Sequence, residues 1–394
     1  MHKAPLIFLN RVYWPDEAAT AQLLTDLAEG LAARGWPVTI IASRSAGAPA
    51  EETRAGVSIL RVAPARDTRR SLRARLLDDL SFHIGAVRCL RRLARPGATV
   101  VVMTDPPMLG FTAWLAVRGR GARLINWIQD VYPEIAQALA PFAALRFLLG
   151  GLRPLRNVAW RRSARCVVLG RDMAELVEQA GVRRQSIATI PNWAPAGLGP
   201  ADGAALRAAW NLQDKFVIAY SGNLGRVHAL DNVLELALSL REHREIVFVF
   251  IGGGAQRERL AAAAHTHDLP NVRFFPAQPR RQLAATLAVG DVHLITLRPG
   301  CEACVFPSKF YGIAAAGRPI LFLGPLDCEL SELVREQGLG AICAPADTAL
   351  AHSTIVNWAN DGDTLAACRS AALRFAARHG GSAAALEAWE TLLR

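Results

Sequence analysis

The sequence has no long uncharged apolar segment. Its nearest approach, residues 96–117, is interrupted by Asp105 and by Pro106-Pro107, and the N-terminal apolar run Leu6–Leu9 is short. A membrane-spanning helix needs about 18–20 apolar residues, and the core of a signal peptide needs about 7–15. We therefore expect a cytoplasmic protein without a membrane span.

Cysteine is also scarce. The 394 residues include 7 cysteines, and this odd, scattered set argues against a disulfide framework. Cys301 and Cys304 have CxxC spacing, but a zinc site would need a second pair at comparable spacing, and the sequence has none. Two small loop cysteines are the commoner interpretation, with a redox pair as the alternative. No carboxylate cluster suggests a metal site, so we expect no metal and no cofactor.

Lysine is rare, although the chain is basic. Only Lys3, Lys215 and Lys309 are lysines among 45 basic residues, and the net charge is +11. Residues 1–200 hold 27 basic against 15 acidic residues, whereas residues 201–394 hold 18 against 19. The excess arginines cluster at residues 61–95 and 146–165. Such clusters suit an anionic membrane surface, an acidic substrate or nucleic acid, or they form an ordinary solvated surface. No RRM, KH or zinc-finger motif supports nucleic acid.

Short apolar strands alternate with amphipathic helices along the chain, which is typical of parallel sheets covered on both faces. The predicted strands of the first half are 6–10, 38–42, 58–62, 99–103, 123–127, 165–169 and 187–190. Those of the second half are 216–221, 246–251, 272–275, 292–297, 319–322 and 341–343. The pattern predicts an α/β protein of two Rossmann-like, doubly wound domains that face a cleft.

The domain boundary is expected where this alternation breaks. Residues 190–203, "IPNWAPAGLGPADG", hold three prolines and three glycines. We predict an N-terminal domain over residues 1–190 and a C-terminal domain over residues 191–379. A final helix over about residues 380–394 is expected to pack back on the first domain.

Three loops of the second half carry the candidate chemistry. "GNLGRVH" (222–228) follows one strand, "GGG" (252–254) follows the next, and "PSK" (307–309) precedes a short helix that Ser308 can cap and Gly317 can end. Lys309 opposes the dipole of that helix, so its position is unfavourable unless an anion lies beside it. The loops at one sheet edge therefore predict a phosphate pocket, in which Arg226 and His228 supply further cations. The alternative is that Lys309 extends to water.

Several segments resemble a known family. They are "YWPDEAATAQLLTDLAEGLAARGWPVTIIAS", "NWIQDVYPE", "IPNW", "YSGNLGRVHALDNVLELA", "FIGGG" and "PSKFYGIAAAGRPILFLGP". The chain resembles the retaining glycosyltransferases of family 4, which have the two-domain GT-B fold. Its subgroup resembles the exopolysaccharide and O-antigen enzymes of the colanic-acid and fucosamine-transferase type.

The resemblance implies a nucleotide-sugar in the second domain and an acceptor, expected to be a lipid-linked saccharide, at the first. Asp130 stands where the family has a polar residue that reaches the transferred sugar. The implied catalytic set is Asp130, Arg226, Lys309 and Glu302. The implied binding set is Gly222, Asn223, Gly225, His228, Gly252, Gly253, Gly254, Ser308 and Glu329.

The sequence departs from the family pattern in three places. The family's Glu-x7-Glu motif falls on Cys304 and Gly312, so the glutamate that usually holds the ribose is absent. Glu329 is a candidate for the ribose contact, and Glu302, two residues before Cys304, is a candidate substitute for the first glutamate. The N-terminal loop reads Ala18-Ala19-Thr20 in place of paired glycines.

The resemblance implies transfer with retention of the anomeric configuration, in bacterial surface polysaccharide synthesis at the inner face of the membrane. The lack of a carboxylate cluster in the sequence predicts that the reaction is metal-free. A nucleotide-sugar epimerase of similar fold remains an alternative, and a basic nucleic-acid-binding protein is a weaker one. A dehydrogenase is disfavoured because "LNRVYWPDEA" lacks a glycine fingerprint.

Overall fold

The computed structural model describes residues 3–45, 47–63, 72–379 and 381–394. The chain divides into two units. Unit 1 comprises Met1–Asn192, Ala303–Phe306 and Ser382–Arg394, and unit 2 comprises Trp193–Glu302 and Pro307–Gly381. Within the described residues, no helix combines the length and apolar character needed to cross a bilayer.

Unit 1 is built on a mostly parallel sheet. Its strands are β1 Leu6–Leu9, β2 Val38–Ala42, β3 Glu51–Arg54, β4 Val57–Arg61, β5 Thr99–Val102, β6 Arg123–Trp127, β7 Arg165–Val168 and β8 Ile187–Thr189. They lie in the order β3-β4-β2-β1-β5-β6-β7-β8. The helices are α1 Ala19–Ala33, α2 Leu72–Leu93, α3 Leu109–Val117, α4 Glu134–Ala138, α5 Ala143–Gly150, α6 Arg153–Arg162 and α7 Arg171–Gln179. The apolar runs form buried strands because both sheet faces are covered.

Strand β3 is the element that the sequence pattern missed. It pairs antiparallel with β4 at the sheet edge, and its residues are exposed or half-buried. The two strands are joined at Ala55 and Gly56, which both have positive φ, as a tight two-residue hairpin requires. An exposed edge strand needs no apolar alternation, so the polar segment Glu51–Arg54 carried no strand signal.

Unit 2 has a second, parallel sheet. Its strands are β9 Phe216–Ser221, β10 Ile246–Ile251, β11 Val272–Phe275, β12 Val292–Thr296, β13 Ile320–Leu323 and β14 Gly340–Cys343. They lie in the order β11-β10-β9-β12-β13-β14. The helices are α8 Ala204–Ala209, α9 Leu230–Ser239, α10 Arg257–Thr266, α11 Leu283–Ala288, α12 Lys309–Ala315, α13 Glu329–Glu336, α14 Thr348–Asn360 and α15 Gly362–His379. The predicted strands are confirmed to within one residue at each end.

The C-terminal helix, α16 Ser382–Leu393, packs against α1 in unit 1. Trp389 is fully buried, and its ring lies 4.9 Å from that of Trp127. The carboxylate of Glu390 accepts hydrogen bonds from Lys3 Nζ (3.1 Å), Arg34 Nη1 (2.7 Å) and Trp36 Nε1 (2.9 Å). These donors lower the pKa of Glu390 from 4.5 to about 2, the Trp36 hydrogen bond contributing most. The helix is thus held by both apolar packing and a charged anchor.

The substitution Glu390→Gln should lower the free energy of unfolding by about 1–3 kcal/mol, because three donors lose a charged acceptor. Glu387→Gln, on the exposed face of the same helix, should change it by less than about 0.5 kcal/mol. The folded-state pKa of Glu390 lies below its ordinary value. The ionised Glu390 carboxylate therefore contributes fully to the free energy of unfolding above pH 4.5, and this contribution is lost as the pH falls towards 2. Urea unfolding at several pH values measures these changes in stability. If the two variants lost the same free energy of unfolding, the role of Glu390 in holding the helix would be contradicted.

Candidate active site

The candidate site of unit 2 lies beyond the carboxyl ends of β9 and β10, two neighbouring strands near the middle of the sheet. The loop of residues 222–228 follows β9, and the loop of residues 252–254 follows β10. The Leu224 N–H donates to the Gly253 carbonyl at 2.7 Å, and the Gly222 N–H donates to the Ile251 carbonyl at 2.9 Å. The two predicted loops are therefore joined through their backbones.

This approach is possible only for glycine. A Cβ on Gly252 would lie 2.2 Å from the Gly222 carbonyl oxygen, and one on Gly254 would lie 2.5 Å from Asn223 Oδ1. Gly222, Gly252 and Gly254 all have positive φ. Gly253 differs, since a Cβ there would meet nothing within 4 Å.

Lys309 is the first residue of α12, and the end of its side chain lies near Gly222 of the first loop. Its Nζ lies 3.2 Å from the centroid of the Tyr220 ring and 3.7 Å from the position of a Cβ on Gly222. The ammonium nitrogen is buried and has no hydrogen-bond partner among the described residues. Burial lowers the pKa of Lys309 well below 10.5. The alternative that it extends to water is wrong.

His228 lies close to Lys309 but is not a cation. Burial, and then the charge of Lys309, lower the pKa of His228 to about 3. Its Nδ1 lies 2.6 Å from the Thr296 carbonyl oxygen, so the neutral ring donates from Nδ1 and leaves Nε2 as an acceptor. The expectation that His228 supplies positive charge is therefore wrong for this buried environment.

The other predicted residues of unit 2 differ in their surroundings. Arg226 is exposed on the first loop, and its carbonyl accepts from Arg298 Nε at 2.8 Å. The Glu302 carboxylate accepts from the Gly300 N–H at 2.7 Å, so it closes its own turn. Gly225 lies at the base of the first loop, where a Cβ would be 3.2 Å from Asn223 Nδ2.

Two predictions concern the ends of α12. Ser308 stands at its N-cap position with helical φ −57° and ψ −26°, and its side chain makes no capping hydrogen bond. The predicted Ser308 cap is therefore wrong, because a capping side chain needs an extended backbone at that position. Gly317 has φ +64° and donates to the Ala314 carbonyl at 2.9 Å, which confirms it as the glycine that ends the helix.

Glu329 and Gly312 mark the expected ribose side. Glu329 begins α13 and is half-buried near Tyr311 of α12, whose pKa is raised by burial first and then by the Glu329 charge. A Cβ on Gly312 would meet Leu198 at 3.6 Å and Leu287 at 3.9 Å. Gly312 thus lies among apolar side chains, and a Cβ added there would make only ordinary van der Waals contacts with them.

Asp130 lies in unit 1, just beyond the carboxyl end of β6. Its N–H donates to Thr104 Oγ1 at 3.1 Å. Burial and then the charge of Asp105 raise the pKa of Asp130 from 3.8 to about 6. Asp130 thus belongs to unit 1, whereas the other predicted residues belong to unit 2.

Sequence reasoning missed three residues. Gln256 is buried, and its Nε2 donates to the carbonyls of Gly225 (2.6 Å) and His228 (3.1 Å), which fixes the first loop. Arg298 supports the same loop from the end of β12. Arg11, in unit 1, pairs with Asp79 and Asp105. None of the three belongs to a recognisable motif. Arg11 does lie two residues after the end of strand β1, and ligand-binding side chains are common in the segments that follow such strands.

The substitution Gly252→Ala should destabilise unit 2 by about 2 kcal/mol or more, since the new methyl group would overlap the Gly222 carbonyl. Gly253→Ala is the matched control and should cost less than about 0.5 kcal/mol. Chemical unfolding followed by circular dichroism measures both. Equal stability of the two variants would show that the loops are not in close contact.

Two family models match adjoining parts of the chain. The model described as "Glycosyl transferase 4-like domain" matches residues 19–193, and that described as "Glycosyl transferases group 1" matches residues 204–375. The first match lies within unit 1 apart from residue 193, and the second covers most of unit 2.

Two curated relatives are similar in sequence. WbjE of Pseudomonas aeruginosa, named as a glycosyltransferase, is 31% identical over 263 residues, which are 64% of either chain. WcaI of Escherichia coli strain K12, named as a colanic acid biosynthesis glycosyl transferase, is 32% identical over 243 residues, which are 58% of either chain. Each alignment thus spans less than two thirds of the relative's length.

Among solved structures, Anabaena HepE in complex with UDP-glucose has a TM-score of 0.74 at 16% identity and covers 99% of both chains. At that identity the likeness concerns the fold, and it agrees with the two parallel-sheet units described above. Together with the adjoining family matches, it confirms the predicted fold class. The two adjoining family matches and the two relatives support the predicted resemblance to the family 4 glycosyltransferases with the GT-B fold.

Proposed function

We propose that this protein transfers a sugar from a nucleotide-sugar donor to a saccharide acceptor in the synthesis of a bacterial surface polysaccharide. The observation that carries the proposal is the buried amine of Lys309 beside two glycine loops, for which the described residues supply no hydrogen-bond partner. A buried amine without an acidic partner is costly unless a ligand supplies the charge. The names of WbjE and WcaI support the reaction class and its biosynthetic setting.

A pyrophosphate is the ligand group that best fits this pocket. The glycines let the backbone approach an anion closely, while Lys309 supplies the charge and exposed Arg226 can fold over it. HepE was solved with UDP-glucose, which supports a nucleotide-sugar as the class of donor. On the ribose side, half-buried Glu329 can accept hydrogen bonds from the hydroxyls, since Gly312 provides no side chain.

The reaction follows from the development of charge. When the bond between the anomeric carbon and the phosphate oxygen breaks, the electron pair moves to the diphosphate. Protonated Lys309 and Arg226 would stabilise that charge, which is typically worth about 3–4 kcal/mol per positioned donor. The acceptor hydroxyl then attacks from the leaving-group face and passes its proton to a diphosphate oxygen, so that the anomeric configuration is retained. No metal is needed in this scheme.

Two other predicted residues act on the sugar. Neutral His228 presents Nε2 as an acceptor for a sugar hydroxyl, because its Nδ1 is committed to the Thr296 carbonyl. Asp130, when ionised, accepts a hydroxyl hydrogen bond of the transferred sugar. Glu302 is committed to the Gly300 N–H, and its part is to shape the loop before α12.

The acceptor is proposed to be lipid-linked, at an anionic membrane surface. In unit 1, large apolar side chains are exposed on α2 (Leu76, Leu77 and Leu80) and at α5, where Phe147 is 87% and Leu148 is 70% exposed. Exposed arginines accompany them at residues 73, 88, 91, 92 and 146. Apolar groups interleaved with arginine suit an interfacial surface.

The two arginine clusters are only partly surface features. Arg66, Arg69 and Arg70 lie outside the described residues. Arg61 is buried against Glu52, and Arg156 is buried against Glu134. A cleft of about 650 Å³ between α3 and α6 is lined by Trp114, Arg118, Arg123 and Arg162. This cleft could take a lipid phosphate group.

The substitution Lys309→Ala should lower turnover about a hundredfold or more, because the leaving group loses its main counter-charge. Lys215→Ala is the control, since Lys215 donates to the Arg244 carbonyl away from the loops. Wild-type protein should also take up protons on binding UDP in the pH range where Lys309 titrates, because the diphosphate would raise the pKa that burial lowers. Calorimetry in buffers of different ionisation enthalpy measures that uptake.

Turnover of Lys309→Ala within fivefold of wild type would remove Lys309 from the mechanism. A binding enthalpy that does not depend on the buffer would contradict the recharging of the lysine. A thermal-shift screen of nucleoside diphosphates and their sugars selects the donor for these assays.

Binding to vesicles that contain phosphatidylglycerol should exceed binding to neutral phosphatidylcholine vesicles and should weaken as salt rises. The double substitution Phe147→Ser and Leu148→Ser should weaken vesicle binding at least about tenfold, since each side chain contributes about 1.5–3 kcal/mol when buried. Leu350→Ser, at an exposed leucine of unit 2, is the control. Equal binding to both vesicle types would count against the proposed surface.

A further inference from the structure

The basic cleft between α3 and α6 lies at the amino end of the unit 1 sheet. The two helices pack against each other, and the cleft is lined by Arg123, with which β6 begins, and by Ala164, which precedes β7. A strand rises about 3.3 Å per residue, so the two ends of the five-residue strand β6 lie roughly 13 Å apart. Asp130 follows the other end of β6. A ligand in this cleft is therefore away from the proposed site of sugar transfer.

Three arginines line the cleft, and none of its lining residues is acidic. Arg118 and Arg162 are exposed, and Arg123 is half-buried. In the part of the chain that the structure describes, none of the three pairs with a carboxylate, and Arg123 Nη2 donates to the Leu392 carbonyl at 3.0 Å. The fully buried arginines of unit 1, in contrast, have acidic partners. The cleft thus carries positive charge that the described residues do not neutralise.

The positions of these arginines on their elements do not account for all of them. A cation at the end of a helix is stabilised by the helix dipole, which explains Arg118 directly after α3 and Arg162 as the last residue of α6. Arg123 begins a strand, where no such dipole acts. Burial, and then the charge of Arg165, lower the pKa of Arg123, so the neighbouring guanidinium groups repel each other. An anion in the cleft would offset that repulsion.

The size and the donors of the cleft fit a phosphate ester. Its volume of about 650 Å³ lies in the range of about 300–1,000 Å³ that is usual for small-molecule sites. Guanidinium groups match the geometry of phosphate oxygens, to which each can donate two hydrogen bonds. Trp114 also lines the cleft, with its ring centroid 5.6 Å from the Arg118 guanidinium carbon. An indole beside cations suits a boundary between apolar and wet surroundings.

The helices that line the cleft also expose leucines. Leu115 follows Trp114 on α3 and is 46% exposed, and Leu155 on α6 is 42% exposed. Leu155, Val158 and Arg162 are spaced at i, i+3 and i+7, so they share one face of α6, and the last two line the cleft. A free phosphate ester gives these leucines no contact, whereas the acyl chains of a lipid would cover them.

We propose that the cleft binds the phosphate headgroup of an anionic phospholipid, at a site separate from the reacting sugar. The inference rests on the proposed function for the presence of a membrane surface, and on unit 1 alone for its geometry. Arg118, Arg123 and Arg162 donate to the phosphate oxygens, while Leu115 and Leu155 contact the acyl chains. The bound lipid is not a substrate, and it holds unit 1 at the anionic surface.

The test measures binding to the full chain by calorimetry with three soluble probes. They are dihexanoyl phosphatidylglycerol, dihexanoyl phosphatidylcholine and glycerol 3-phosphate, with both lipids kept below their micelle concentrations. One variant combines Arg118→Gln with Arg162→Gln, and a second combines Arg118→Lys with Arg162→Lys. The matched control combines Arg374→Gln with Arg378→Gln, which removes two exposed arginines of α15 in unit 2 and changes the net charge equally.

We expect the double glutamine variant to bind dihexanoyl phosphatidylglycerol about tenfold or more weakly than wild type, because two charged donors are lost. The double lysine variant should lie between them, since the charge remains but the planar fork does not. The control pair should stay within about twofold of wild type, because distant exposed charges are screened. Glycerol 3-phosphate should bind at least about tenfold more weakly than dihexanoyl phosphatidylglycerol, since it has no acyl chains. Dihexanoyl phosphatidylcholine should also bind more weakly, because its choline cation is repelled by the arginines.

Unchanged phosphatidylglycerol binding in the double glutamine variant, or an equal loss in the control pair, would overturn the cleft as the site. Equal affinity for glycerol 3-phosphate would assign the cleft to a free phosphate ester and overturn the lipid. Equal affinity for the phosphatidylcholine probe would overturn the preference for an anionic headgroup. None of these measurements needs sugar transfer. If no donor supports transfer, the proposed function fails while the binding data still decide the site.

Discussion

The burial of one amine without an acidic partner is the constraint on which the candidate site depends. Lys309 lies under a loop that glycine alone allows to approach its neighbour, and its nitrogen faces the Tyr220 ring. Burial disfavours the charged form of such a group and lowers its pKa. A pyrophosphate would supply an anionic partner and favour the charged form of the amine.

The buried basic side chains of the two units differ in their partners. In unit 1 the buried arginines have acidic partners: Arg11 with Asp79 and Asp105, Arg61 with Glu52, and Arg156 with Glu134. Arg11 and Asp105 follow strands β1 and β5, Arg61 and Glu52 lie on the paired strands β4 and β3, and Arg156 and Glu134 lie on helices α6 and α4. In unit 2 the buried Lys309 nitrogen has no hydrogen-bond partner in the described part of the chain and lies over the Tyr220 ring, and the nearby imidazole of His228 is neutral. Pairing stabilises a scaffold, whereas an unpaired group favours a ligand.

The predictions succeeded where local chemistry decides the outcome. The apolar runs became strands because any covered sheet must bury them, and Gly317 ends its helix because a positive φ favours glycine. The family was identified from motifs that adjoin those strands. The predictions failed where a neighbour decides. Strand β3 depends on pairing with β4, the Ser308 cap depends on a backbone angle, and the charge of His228 depends on burial next to Lys309.

The sequence by itself determined the alternation of strands and helices in two α/β units, all the strands except β3, and the loops that hold the candidate residues, since apolar periodicity and glycine placement are local properties. Only the tertiary structure decided which of those residues are charged, paired or available. Each of these outcomes depends on residues far apart in the chain. A Cβ on Gly252 would lie 2.2 Å from the Gly222 carbonyl oxygen, and the Lys309 nitrogen is buried without a hydrogen-bond partner among the described residues. Arg11, Asp79 and Asp105 likewise form one cluster from three separate segments. Desolvation and Coulomb interactions act across space, so no window of sequence contains them.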